Sequence, residues 1–205
     1  MLRLGILISG GGTTMSNLQK TIKAGHLDAE ICTVVSSSRK AAGVQRAEAL
    51  GLPCTVITRA TFDSDEAFSD SINAQMLRAK VDLVVMGGFL KRYLPGPQFR
   101  NRCINIHPSL IPAFSGHGFY GMRVHESVYR RGCTVSGCTI HFVDDQYDEG
   151  PIIYQQAVSL SLDDGPEQIQ AKVFEAECEA YPKVIQWFAE KRVGLESGRV
   201  SIKPR

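Results

Sequence analysis

None of the six cysteines stands in a C-x-x-C pair. They are scattered at positions 32, 54, 103, 133, 138 and 178, four of them in apolar or strand-like runs, so neither a disulfide framework nor a zinc site is indicated. No apolar run approaches membrane-spanning length, and no signal-peptide pattern precedes the first strand-like run. Charge of one sign is also scarce. Lys and Arg total 23 against 21 Asp and Glu, and a net charge of +2 argues against dedicated nucleic-acid binding. There is no internal repeat and no low-complexity segment. These absences describe a reduced, cytoplasmic protein with no nucleic-acid or membrane partner. The 43% hydrophobic and 21% charged fractions are those of an ordinary globular chain, and 205 residues bury a core without staples.

The pattern that is present alternates strands and helices. Leu2 to Ser9 is a nearly continuous apolar run, as in a buried parallel strand. Gly10-Gly11-Gly12-Thr13-Thr14 follows, and a helical pattern (Met15, Leu18, Ile22) begins at once. Strand, glycine turn and helix together offer backbone N–H groups and a helix N-terminus to a phosphate. The loop is neither G-x-G-x-x-G nor a Walker loop, and a plain tight turn is the alternative. Further strands are expected at Glu30–Ser36, Cys54–Ile57 and Val81–Met86. Helices are expected over Arg39–Leu50 and from Asp63-Ser64-Asp65-Glu66 to about Lys80, the latter with Phe68, Ile72, Met76 and Leu77 inward. This βαβαβ alternation predicts an α/β fold with a doubly wound, mostly parallel sheet of about seven strands.

The chemistry is placed at Cys103-Ile104-Asn105-Ile106-His107-Pro108. Apolar and polar residues alternate here, so Asn105 and His107 share one strand face, roughly 6–7 Å apart at about 3.3 Å per residue. Pro108 stops the strand. An amide that donates to an oxyanion and an imidazole that exchanges a proton near neutral pH thus meet at a strand's C-terminal end, where open α/β sheets bind ligands. Turn hydrogen bonds are the alternative use of this pair. The loop Phe89-Leu90-Lys91-Arg92-Tyr93 combines apolar groups with cations and suits a flat heterocycle with a negative tail, or a cover for the sheet edge. His117 and His125 are read as ordinary surface or packing histidines. Thr134–Val143 and Ile152–Val158 predict an antiparallel extension around the acidic loop Asp144–Pro151. That loop's four carboxylates do not match EF-hand spacing, and no metal is expected. A helix starts near Asp163, and Pro182 is expected to end or kink it. Residues 193–205 form a basic tail or small hairpin.

Ser9-Gly10, Gly87-Gly88-Phe89, Asn105-Ile106-His107-Pro108-Ser109-Leu110-Ile111-Pro112, His141-Phe142-Val143, Asp148-Glu149-Gly150-Pro151 and Glu177 with Tyr181-Pro182 together carry a resemblance. The chain resembles the folate-dependent formyltransferases from residue 2 to about 192. The Asn-x-His-Pro-Ser-Leu block followed about 40 residues later by Asp-x-Gly-Pro is the specific part of the signal. The resemblance implies one formyltransferase-type domain over 1–192, with a nucleotide-binding half of about 1–100 and a folate-binding, catalytic half of about 101–192.

It also implies a catalytic trio, Asn105, His107 and Asp148, in which Asp148 helps keep His107 protonated. 10-Formyltetrahydrofolate is the implied formyl donor and a primary amine the acceptor, with glycinamide ribonucleotide as the leading candidate. An amino-sugar nucleotide, water, or a non-catalytic binding module are the alternatives. Gly10, Gly11, Gly12, Thr13, Thr14 and Asn17 would hold a substrate phosphate, and Glu177 the ribose hydroxyls. Phe89, Leu90, Lys91, Arg92, His141, Val143, Asp144, Asp145 and Tyr147 would embrace the pterin. Only small-molecule partners are implied, in a monomer or homodimer. The sequence departs from the family's pattern in a phosphate loop about three residues longer, a longer, more aromatic 115–123 segment, and Asp65 where many members carry arginine.

Overall fold

A computed structural model describes all 205 residues. Strands β1 (Leu2–Ile8), β2 (Ala29–Ser36), β3 (Cys54–Val56), β4 (Leu83–Met86) and β5 (Cys103–His107) alternate with helices α1 (Thr13–Lys23), α2 (Ala42–Ala49) and α3 (Asp65–Arg78). Helix α4 (Met122–Arg131), strands β6 (Val135–Phe142) and β7 (Ile152–Ser159) and the long helix α5 (Pro166–Ala189) follow, and a hairpin of β8 (Val193–Glu196) and β9 (Arg199–Ile202) ends the chain. The seven-stranded sheet runs β3-β2-β1-β4-β5-β6-β7. β1 to β5 pair in parallel, and β6 is antiparallel to both of its neighbours. The expected doubly wound sheet with an antiparallel extension is therefore the observed one. Its order reverses between β1 and β4, so a crevice opens beyond their C-terminal ends.

The two faces of the sheet are dressed unequally. Leu4, Ile6, Ile8, Val34, Val85, Ile104 and Ile106 point to the face packed by α1, α2, α4 and α5. Leu7, Val35, Val84, Met86 and Cys103 point to the other face, where α3 is the covering helix through Phe68, Ile72 and Met76. Asn105 and His107 continue the Cys103 side of β5, beyond that apolar cluster. One-residue alternation thus delivers two polar side chains to a stretch of sheet that no helix seals.

Two sequence expectations are corrected. Leu77 is not inward: it is 50% exposed, because the face of α3 that meets the sheet is complete with Phe68, Ile72 and Met76. Pro182 neither ends nor kinks α5, which continues to Ala189 with Pro182 buried inside it. Proline lacks the N–H that would bond the carbonyl four residues back, which is Cys178. The Asn17 side-chain amide of α1 donates to that carbonyl at 2.9 Å, replacing the missing bond. Three residues on, Tyr181 is fully buried and its hydroxyl donates to the carbonyls of Met86 (2.9 Å) and Ile104 (3.1 Å), pinning α5 beneath the ends of β4 and β5.

The terminal hairpin turns through Ser197 and Gly198, both at positive φ (49° and 77°), the type I′ arrangement of a two-residue loop. Helix α2 starts later than expected because hydroxyl turns occupy the preceding residues: Ser36 Oγ donates to the Ser38 carbonyl, and Lys40 N–H to Ser38 Oγ.

Asn17→Ala should cost about 1–3 kcal/mol of unfolding free energy by orphaning the Cys178 carbonyl. Pro182→Ala restores an N–H at that spot, so in a double-mutant cycle by urea denaturation the two substitutions should couple by about 1 kcal/mol, with the double variant more stable than the summed singles. Strict additivity would refute the link.

Candidate active site

Beyond the C-terminal ends of β1, β4 and β5 lies a cleft of about 760 Å3. Its floor is built by the β5–β6 register, in which Asn105 stands opposite His141 and His107 opposite Thr139. On the far side of β6 the register with β7 shifts between Ile140 and His141, a bulge of the kind that re-aims side chains beside functional sites. Asn105 Nδ2 lies 3.2 Å from His141 Nε2. His141 Nδ1 faces its acceptor, the Phe142 carbonyl, at 2.8 Å and so carries the proton, leaving Nε2 to accept from Asn105 in the neutral ring. That contact uses one hydrogen of the Asn105 amide and leaves the second for a ligand.

Asp148 arrives from the β6–β7 loop with φ +59°, a left-handed conformation that aspartate tolerates better than most residues. One carboxylate oxygen is 3.4 Å from His107 Nδ1, and the other is 3.6 Å from His141 Nε2. The Gly116 N–H donates to Asp148 at 3.0 Å. Gly150 fixes this loop: a Cβ there would lie 1.8 Å from the Phe142 carbonyl oxygen, so no other residue fits. His107 Nε2 donates to the Phe114 carbonyl at 2.8 Å, and Phe114 itself holds φ +52°, a conformation a bulky residue adopts only when its surroundings impose it.

Both nitrogens of His107 therefore face acceptors, which favours the imidazolium, yet the ring is 4% exposed. Burial pulls its pKa below the ordinary value; Asp148 and the Phe114 carbonyl pull upward without cancelling that effect, and His141 adds a small push down. Asp148 thus acts in the expected direction, raising the His107 pKa, while desolvation outweighs one carboxylate. For Asp148 burial acts in the raising direction, but the neighbouring His141 and His107 and the Gly116 N–H together bring its pKa below the usual carboxylate value.

The sequence-predicted residues fall around this centre. Gly10, Gly11, Gly12, Thr13 and Thr14 line one end of the cleft, with Gly12 at φ +69° capping α1 so that the helix N-terminus faces inward. Gly43 of α2 lies against Gly12, and the Gly43 N–H holds the Gly10 carbonyl at 3.0 Å. Asn17 does not line the cleft. Helix α1 starts at Thr13, so Asn17 lies in its second turn and spends its amide on α5. Glu177 does line the cleft, with no protein hydrogen bond to its carboxyl group, and burial pushes its pKa up to about 7.

At the other end Phe89, Leu90, Lys91, Arg92, Val143, Asp144, Asp145 and Tyr147 line the wall, joined across it by Arg92 donating to the Asp145 carbonyl at 3.1 Å. His117, Tyr120, Arg123, His125 and Phe174 also line the cleft. The sequence pattern marks His117 and His125 as ordinary surface or packing residues and gives Tyr120, Arg123 and Phe174 no role. The available signal was the run of aromatics between Gly116, Gly118 and Gly121, all at positive φ.

This geometry can be set beside known proteins. A family model described as formyl transferase matches residues 2–185. The chain belongs to the formyl transferase family. It is 32% identical over 198 residues to the phosphoribosylglycinamide formyltransferase of Haemophilus influenzae, covering 96% of this chain and 91% of that one. It is 33% identical over 195 residues to the chloroplastic phosphoribosylglycinamide formyltransferase of Arabidopsis thaliana, covering 93% of this chain but only 66% of that longer protein. The crystal structure of glycinamide ribonucleotide transformylase 1 from Symbiobacterium toebii superposes with a TM-score of 0.90 at 35% identity, covering 100% of this chain and 95% of that one. No helix is long and apolar enough to cross a membrane.

Glu177 supplies a pH prediction. Its pKa is raised in the fold, so its stability contribution is present below the unfolded value near 4.5 and is lost as pH rises through about 7. Glu177→Gln should therefore raise the melting temperature relative to wild type at pH 8 by more than at pH 5. A difference independent of pH would show that the Glu177 carboxyl is not desolvated.

Proposed function

We propose that this protein transfers the formyl group of 10-formyltetrahydrofolate to the primary amine of glycinamide ribonucleotide. The observation that carries this reading is the convergence of Asn105, His107, His141 and Asp148 at the floor of one cleft. A helix N-terminus stands at one end of that cleft, and an aromatic, cationic wall at the other. The names and lengths of the Haemophilus and Symbiobacterium relatives support the same acceptor. All partners in this reading are small molecules, and the cytoplasm is the compartment inferred.

The folate supplies a formyl carbon, and attack on it leaves negative charge on the formyl oxygen. The second hydrogen of the Asn105 amide is the direct donor to that charge. His107 already faces acceptors with both nitrogens, so it passes protons along the Nδ1–Asp148 contact. Asp148, with His107 at one oxygen and His141 at the other, takes the proton given up by the amine and relays it to the folate nitrogen, whose bond to the formyl carbon breaks as the oxyanion collapses and tetrahydrofolate departs. His141 fixes the Asn105 amide and acts as a positioning residue. Glycine N–H groups and the α1 terminus receive the phosphate, Glu177 the ribose hydroxyls, and the wall from Phe89 to Arg92 with Val143 to Tyr147 the pterin. Asn17 has no place in this reading.

Purified protein should formylate glycinamide ribonucleotide in a panel of amines that includes an amino-sugar nucleotide, with free formate measured in parallel. Formylation of the amino sugar alone, or release of formate alone, would overturn the acceptor. Asn105→Ala and His107→Ala should each lower kcat by about 10²–10³ with folate binding retained. Unchanged turnover in either variant would reject the mechanism.

A further inference from the structure

We infer that His125 is a substrate-binding residue of the acceptor half of the cleft, where its neutral imidazole donates a hydrogen bond through Nε2–H to an oxygen of the phosphorylated amine. The inference deepens the formyl-transfer reading above and rests on it.

His125 lines the cleft, yet it is only 3% exposed. Its Nδ1 is sealed from solvent and has no hydrogen-bond partner. Buried polar atoms are ordinarily paired, and one that is not calls for a reason. The ring sits in the first turn of α4, four residues past the Gly121 cap, on a helix whose Val124 and Val128 are buried. A histidine serving only to pack would be better replaced by an apolar side chain, since the sealed nitrogen forfeits a hydrogen bond without return.

The protonation state follows from the surroundings. Desolvation, with a smaller contribution from the nearby His107, pushes the His125 pKa down to about 4. The N-terminal end of α4 also disfavours a cation. The ring is therefore neutral at working pH, with one N–H and one lone pair. An orphaned N–H is the rarer of the two defects in buried sites, so the proton belongs on Nε2, which is not sealed, rather than on Nδ1. This leaves an N–H donor without a protein partner beside the cleft.

The acceptor side is favoured by the packing. Helix α4 lies against α5, and α5 brings Gln170, Phe174 and Glu177 to the same cleft. The pterin wall is built instead from the loops after β4 and β6. A neutral donor near His107 has a chemical advantage there as well. A second cation would depress His107 further, whereas an uncharged N–H orients an oxygen without that cost.

Steady-state kinetics test this directly. His125→Leu should raise the KM for glycinamide ribonucleotide about tenfold, the effect of one lost hydrogen bond. The KM for 10-formyltetrahydrofolate and kcat should change by less than about threefold on the same scale. His125→Gln, whose amide reaches the position of Nε2, should recover most of the acceptor affinity. An unchanged acceptor KM in His125→Leu, or a rise confined to the folate KM, overturns the assignment while formyl transfer stands. Absence of turnover by the wild-type protein with any amine removes the functional reading and this assignment with it. Should His125→Leu fail to fold, the wild-type protein decides the matter. Addition of glycinamide ribonucleotide alone should shift the imidazole nitrogen signals of His125 in NMR spectra, and no shift overturns the inference.

Discussion

One carboxylate held between two imidazoles is the constraint on which the site depends. Asp148 reaches His107 with one oxygen and His141 with the other, and each of its neighbours is tied to the backbone of a different loop or strand. The arrangement needs the antiparallel pairing of β5 with β6, because only that register sets Asn105 against His141. It needs a turn that brings a left-handed Asp148 back over the sheet, which in turn needs glycine at 150. A single antiparallel strand in an otherwise parallel sheet is thus the device that closes the site. A parallel strand at that position would require a crossover connection and would carry its following loop elsewhere.

The end of the cleft lined by the glycine loop is supported by a different piece of packing. Helix α5 has to continue through Pro182 to place both Tyr181 under the sheet and Glu177 at the cleft. The freed Cys178 carbonyl is the defect this creates, and Asn17 answers it from α1. The helix that presents its N-terminus to the cleft is therefore stitched to the helix that presents Glu177. Two cleft-lining elements from opposite ends of the chain are thereby tied together by one side-chain amide.

Much of this was legible in the sequence, for physical reasons. Buried parallel strands announce themselves as apolar runs, and the alternation in Cys103–His107 and Val135–Phe142 fixed which side chains share a face. The glycine loop before α1 and the acidic start of α5 were local signals, readable without tertiary context. What escaped reading was tertiary. Proline inside α5 is tolerated because a residue 165 positions away satisfies the carbonyl, and nothing local reveals that. Asn17 carried a plausible sequence position for phosphate contact, but the start of α1 at Thr13 turns it towards α5. His125 looked like a packing residue because exposure and hydrogen-bond satisfaction are properties of the fold.

The balance of charge in the cleft follows from counting donors against burial. Asp148 is enclosed, but a backbone N–H and two imidazoles face it, so it stays ionised below the usual carboxylate range. Glu177 is enclosed with no donor at all, so its carboxyl is pushed up to about 7. His125, with no acceptor, is pushed down to about 4, and His107, with two acceptors, is lowered too, since burial still leads. Desolvation is common to all four, and the number of partners decides how far each group moves. Only one of the two enclosed carboxylates is thereby kept firmly ionised, and it is the one beside the amide and imidazole. In the proposed reaction an amine that loses a proton on attack needs a base at that place, and a second firm negative charge at the proposed ribose end would repel a bound phosphate. The same low-dielectric enclosure that weakens His107 as a cation therefore separates a firmly ionised carboxylate from one whose pKa is pushed up to about 7.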